Sequence, residues 1–195
     1  MRIGGTVAVA MLLALGGCGT ADYVSNSQAS VLLIVAAINE GSVLDSEVRY
    51  GSASGSEFIC EDEVGVALAV RNKNPNAPAP NVPGAVLVNG YEVAYFRTDG
   101  RSQEGIDVPY RITGSLSSAV DVATSGTAEV VIEVVRRQAK LEPPLSNVEQ
   151  SVILTMMAEV TIFGETVSGD RVSGSGRLQI DFADFIDDET SCPTN

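Results

Sequence analysis

From Ser30 onward, short apolar stretches alternate with breaks rich in Gly, Asn and Asp, the punctuation of an all-β protein. Residues 31–38 (VLLIVAAI) form an apolar run ended by Asn39-Glu40-Gly41. The run is rich in β-branched residues and too short to cross a bilayer. It predicts a buried strand, with a helix as the second reading. Within 63–72, Val64, Val66, Leu68 and Val70 share one face. Gly65, Ala67 and Ala69 share the other, so close packing is expected there as well. Residues 85–97 place Val86, Val88, Tyr91, Val93, Tyr95 and Phe96 around Asn89-Gly90. Asn-Gly between apolar positions is the strongest short hairpin signal, so two short strands are expected. Asp99-Gly100 turns the chain again. Residues 108–114 (VPYRITG) predict a short strand whose start Pro109 demotes to a sheet edge. A valine-dense strand follows at 127–137. Residues 151–163 and 172–185 form the last pair, with the turn at Gly164 and Ser168-Gly169-Asp170. In the final strand Leu178, Ile180 and Phe182 point one way and Gln179, Asp181 and Ala183 the other, giving one buried and one wet face. Segments 40–62 and 115–125 read as loops or a short helix. Seven to nine short strands and no long amphipathic helix predict an immunoglobulin-like or fibronectin-like antiparallel β-sandwich. Uneven strand lengths and long loops fit a closed barrel less well.

Ahead of this body stand MRIGGTVAVAMLLALGGCG: the cation Arg2, an apolar run from Ile3 to Leu15, Gly16-Gly17 and Cys18. That is the layout of a secretory signal peptide. Residues 3–17 number 15, short of the roughly 20 that a spanning helix needs. The ending Leu15-Gly16-Gly17-Cys18 resembles the lipobox of bacterial lipoproteins. The resemblance implies that the Cys18 thiol receives diacylglycerol and, after cleavage, becomes the first residue of an acylated (palmitate-bearing) chain. Two other readings are an ordinary signal peptide with a coincidental cysteine and an uncleaved amino-terminal anchor. The expected organisation is a signal peptide at 1–17, a lipidated tether at 18–29 and a single β-sandwich domain at 30–195. The unpatterned residues from Gly19 to Ala29 would reach at most roughly 35–40 Å when extended. Gly19, where an Asp would signal retention in the inner membrane, implies the outer membrane of the cell envelope by the same resemblance.

Charge narrows the picture further. The chain has 12 Lys and Arg against 25 Asp and Glu, a net charge of −13, and loss of Arg2 would take it to −14. Such a chain is repelled by nucleic acid, and no basic patch offsets this, so no nucleic-acid partner is expected. Histidine is absent, which excludes histidine-based triads, zinc sites and haem ligation. No cofactor is expected. With Cys18 committed to lipid, Cys60 and Cys192 are expected to pair as a disulfide in an oxidising compartment, closing a loop of about 130 residues. Their neighbours, Glu61-Asp62-Glu63 and Asp187-Asp188-Glu189, disfavour a reactive thiolate. Two free thiols are the alternative.

Four features could carry chemistry. The acidic clusters meet if the disulfide forms, which makes Asp62, Asp187 and Asp188 candidate calcium ligands; solvated loops are the plainer reading. Pro75, Pro78, Pro80 and Pro83 fall within Asn72 to Gly84, either a rigid recognition loop or a stiff crossover between sheets. The strand running into Asn74-Pro75-Asn76, within Val66 to Gly90, resembles the late-embryogenesis-abundant type 14 family of β-sandwich proteins, where an Asn-Pro step follows an early strand. Tyr91, Tyr95, Phe96 and Tyr110, with Arg97 and Arg101, could line a ligand face or simply fill the interior. Arg136, Arg137 and Lys140 form a cationic island that could pair with an acidic partner or headgroup; a blunted strand end is the plainer reading. The expected function is a membrane-anchored envelope lipoprotein, a non-catalytic interaction or structural module with a possible envelope protein partner. The alternatives are a calcium- or small-ligand-binding accessory subunit and a carboxylate-dependent hydrolase, which would need two carboxylates about 5–9.5 Å apart.

Overall fold

β-Branched and alternating segments do become strands in the computed structural model, which describes residues 29–51, 57–74, 76, 85–121, 127–184 and 192. The expected signal peptide at 1–17, Cys18, most of the tether, the four clustered prolines, Asp187 and Asp188 lie outside the described residues. In chain order the strands are β1 (Val31–Ile38), β2 (Leu44–Glu47), β3 (Tyr50–Gly51), β4 (Glu57–Phe58), β5 (Asp62–Asn72), β6 (Val86–Phe96), β7 (Ile112–Val120), β8 (Ala128–Val135), β9 (Leu154–Thr166) and β10 (Arg171–Ala183). A single helical turn, α1 (Arg137–Lys140), follows β8.

The protein is all-β. One sheet has the order β1-β5-β8, a second the order β2-β10-β9-β6-β7, and β3 pairs with β4 apart from both. Val64, Val66 and Leu68 of β5 and Ile132 and Val134 of β8 are buried in one cluster with Val93, Met156, Ile162, Ile180 and Phe182 of the five-stranded sheet. Each such side chain contributes roughly 1.5–3 kcal/mol through removal from water. Leu178, Ile180 and Phe182 all face this core, as their alternation predicts. The small residues between the large ones also have a role. A Cβ on Gly174 would stand 2.6 Å from the Leu33 carbonyl oxygen, so β1 lies directly across β10. From there the chain turns through Asn39–Gly41 and enters the second sheet as β2.

Several expectations are corrected. Asn89-Gly90 does not turn the chain: β6 runs straight through it, paired with β7 on one side and β9 on the other. Register shifts between Val88 and Gly90 absorb the irregularity, because ladders on both edges outweigh one local turn preference. The strand expected at 108–114 begins only at Ile112 and continues to Val120 through residues read as loop. β8 stops at Val135; Arg136 stays extended and α1 takes Arg137 and Lys140 out of the strand. β9 passes Gly164 and ends at Thr166. Segment 40–62 contains β2, β3 and β4, short strands with no periodic signal. The pairing is also not wholly antiparallel, since β2 runs parallel to β10, with Leu44 opposite Ile180.

Candidate functional site

Strand directions give the molecule two ends. Val31 pairs with Asn72, Leu68 with Ala128, Val86 with both Val120 and Thr166, and Arg171 with Glu165. These residues cluster with Ser30, whose carbonyl accepts the Lys73 N–H at 3.0 Å. The far end is built by two long connections, residues 97–111 and 136–153.

In the first connection, Asp99 ties the turn. It pairs with Arg97 at 3.2 Å and Arg101 at 3.6 Å. The Arg101 backbone N–H, with Arg97 beside it, holds the Asp99 carboxyl below the usual range. Val108 is buried beneath, while Ile106 and Tyr110 are more than half exposed. Arg111 joins the loop to the sheet through Glu104 at 2.8 Å and Glu92 at 3.6 Å.

The second connection is pinned by a buried ion pair. Lys140 Nζ donates to the Glu47 carbonyl at 2.7 Å and to Asp62 Oδ1 at 3.0 Å, and Ser46 Oγ donates to Asp62 Oδ2 at 2.6 Å. The ammonium also lies 5.9 Å from the centroid of Tyr50, which stacks on Phe58. Burial pushes the Asp62 carboxyl up against the pull of Lys140 and Ser46, and pushes Lys140 down against the pull of Asp62. Two residues before Asp62, Cys60 forms the expected disulfide with Cys192. Lys140 is therefore an anchor inside the molecule and not part of a solvent-facing cationic island. Asp62, expected to offer oxygen to calcium, has both oxygens engaged within the protein. The sequence did carry one signal: Asp62 is in phase with Val64, Val66 and Leu68, on the inward face of β5.

Held in this way, α1 and the residues after it face the first connection across a cleft of about 210 Å³. Pro109, Tyr110 and Ile112 line one side and Ala139 and Pro143 the other, with Arg111, Arg136, Gln138 and Glu142 adding polar groups. Arg136 Nη2 donates to the Thr113 carbonyl at 3.1 Å, and Gln138 Nε2 to Glu142 at 2.7 Å. Beyond the cleft, Leu141, Val152 and Ile153 are half or more exposed. A larger groove of about 450 Å³ runs between Val35–Ile38, the turn at 41–43 and residues 176–179 of β10. Among the described residues no carboxylate lines it, and the one charged side chain there, Arg177, pairs with Glu159 at 3.8 Å and covers Phe96.

The aromatic ligand face does not assemble. Tyr95 is buried and its hydroxyl donates to the Val134 carbonyl at 2.5 Å. Tyr91 is buried over Gly114, where a Cβ would meet its ring. Burial pushes both phenols up. Among the described residues no three His, Cys, Asp or Glu side chains group as metal ligands. No described helix is long and apolar enough to cross a membrane. No family model matches the chain, and comparison with curated proteins and with solved structures returns no match.

Proposed function

We propose that this chain is an exported lipoprotein, processed at Cys18, and that its body is a non-catalytic interaction module at the bacterial envelope, outer membrane in preference to inner. Residues 1–18 support the export and lipid anchor through their charge, length and small residues before the cysteine. The disulfide fits an oxidising compartment.

We read the body as an immunoglobulin- or fibronectin-like sandwich. The order β1-β5-β8 against β2-β10-β9-β6-β7 matches strands A, B and E opposed to G, F, C and C′ in such folds, with the first strand divided between the sheets. The parallel β2–β10 pair is that division.

One observation carries the interaction reading. Five of the ten large apolar side chains exposed among the described residues, Ile106, Tyr110, Leu141, Val152 and Ile153, belong to the two connections at the far end. Exposed apolar groups gathered on one end of a strongly acidic protein mark a docking surface. The cleft among them, about 210 Å³, is below the roughly 300–1,000 Å³ of small-molecule sites. It suits a partner's anchoring side chain. Of the described residues lining the cleft and the groove, only Glu142 is a carboxylate, so the described lining offers neither a calcium cage nor an acid–base pair.

Two measurements test the proposal. Mass spectrometry of the native protein should find a mature chain beginning at an acylated Cys18; an intact Met1 or an unmodified thiol overturns the anchor. A photocrosslinker at Tyr110 in native membranes should capture a discrete envelope protein, and one at Val131 on the outer face of β8 should not. Equal capture, or none, overturns the interaction module.

A further inference from the structure

The end opposite the docking surface has its own chemistry, and the charge of the molecule is divided unevenly between the two. Among the described residues the far end (45–63, 97–111, 136–153 and 184) carries ten exposed or partly exposed acids, Asp99, Glu104 and Glu149 among them, against six arginines, Arg49, Arg97, Arg101, Arg111, Arg136 and Arg137. At the Ser30 end the described acids are Asp121, Glu129, Glu165 and Asp170, set against Arg71, Lys73 and Arg171. A molecule of net charge −13 thus has one end close to neutral. That end also carries exposed apolar side chains. Leu87 opens β6 and Val167 tips the β9–β10 hairpin, both more than half exposed, and Leu32 on β1 is partly so. Leu87 and Val167 each lie one residue from the Val86–Thr166 pair. Arg171 is largely exposed beside them and meets Glu165 only at 3.9 Å.

We infer that the Ser30 end is a second membrane contact, seated on the lipid surface to which Cys18 is anchored. This rests on the lipid anchor proposed above. The occupant follows from where the chain outside the described residues ends. Residues 18–28 lead from the acylated cysteine straight into Ser30, and so hold this end within roughly 35–40 Å of the bilayer even when fully extended. At that range a lipid surface is the nearest and most concentrated apolar partner. Leu87 and Val167 enter the interfacial layer, while Arg71, Lys73 and Arg171 reach toward phosphate groups. The acids of the far end are repelled by the same surface and point outward. The lipid contact therefore orients the domain and presents the cleft away from the membrane.

Lipidated full-length protein carrying Val167→Cys or Ile106→Cys, labelled with a fluorophore, tests this in phosphatidylethanolamine–phosphatidylglycerol vesicles containing a headgroup-linked quencher. Cys18 is acylated and Cys60 and Cys192 are bonded to each other, so the introduced thiol is the labelling site. Quenching should be severalfold stronger at 167 than at 106, and Leu87→Asp should reduce it at 167 without loss of the acyl mass. A chain that floats with the vesicles and carries the acyl mass, yet is quenched equally at both positions or not at all, overturns this inference and leaves the anchor standing. A chain without the acyl mass overturns both.

Discussion

At position 140 a lysine ends up with its ammonium inside the protein, touching one carboxylate and one carbonyl. Its neighbours in sequence, Arg136 and Arg137, are exposed, so composition alone groups the three cations together. Only the path of α1 after β8 turns the third one inward. Breaking such a pair costs more than the pair contributes, because the remaining charge stays buried. Lys140→Met should therefore lose about 3–5 kcal/mol in urea denaturation. The double variant Lys140→Met/Asp62→Leu should recover a substantial part, read as a positive coupling in the cycle. The same geometry sets a pH dependence. Asp62 is displaced upward from 3.8, so its contribution to stability is full below that value and is lost as pH rises through the folded value. Lys140 is displaced downward from 10.5, so its contribution is present above that value and is lost as pH falls through the folded one. At neutral pH both charges are held at a cost. Between about pH 7 and about pH 4, wild type should gain stability relative to Asp62→Asn, measured by denaturant titration at each pH. A parallel slope for the two proteins would contradict the assignment.

Among the elements, those with β-branched alternation were legible and those made by pairing were not. β1, β5, β8, β9 and β10 coincide with apolar periodicity, with ends displaced by a few residues. β7 reads ITGSLSSAV, nearly uniform small polar residues, and becomes a strand because β6 offers it an edge. Asn89-Gly90 fails as a hairpin for the converse reason. Glycines along β10 matter through what approaches them. At Gly174 the approaching atom is backbone, the Leu33 carbonyl oxygen, and cannot rotate away. Gly174→Ala should push β1 off β10 and cost about 1–3 kcal/mol, with Ala at Gly169 as comparison. Gly169 has nothing within 4 Å of the added carbon and a φ of +86°, so there the cost is conformational, roughly 1 kcal/mol. Native-state hydrogen exchange of the two variants distinguishes contact from strain, since only the first should expose Leu33 and its neighbours to exchange.

On the scale of the whole molecule, the Cys60–Cys192 bridge spans 132 residues and ties the end of the chain to the start of β5, beside the buried pair. Replacing both cysteines by serine should lower stability by up to about 4–5 kcal/mol, because the loop it closes is long. Equal denaturation midpoints for the two forms would remove the bridge from the account. The bridge was legible because, with Cys18 expected to carry lipid, a single pairing of the three cysteines remained. By itself the amino-acid sequence determined the all-β class, the inward face of each periodic strand, the excess of acid and the disulfide partners. Each of these depends on residue type at short range or on simple counting. The tertiary structure alone decided that β7 is a strand, that Asp62 meets Lys140, and that apolar side chains from two distant loops gather at one end around a cleft. Those outcomes depend on which backbone edges and side chains meet across long separations, and long-range pairing can override any local preference that the order of residues displays.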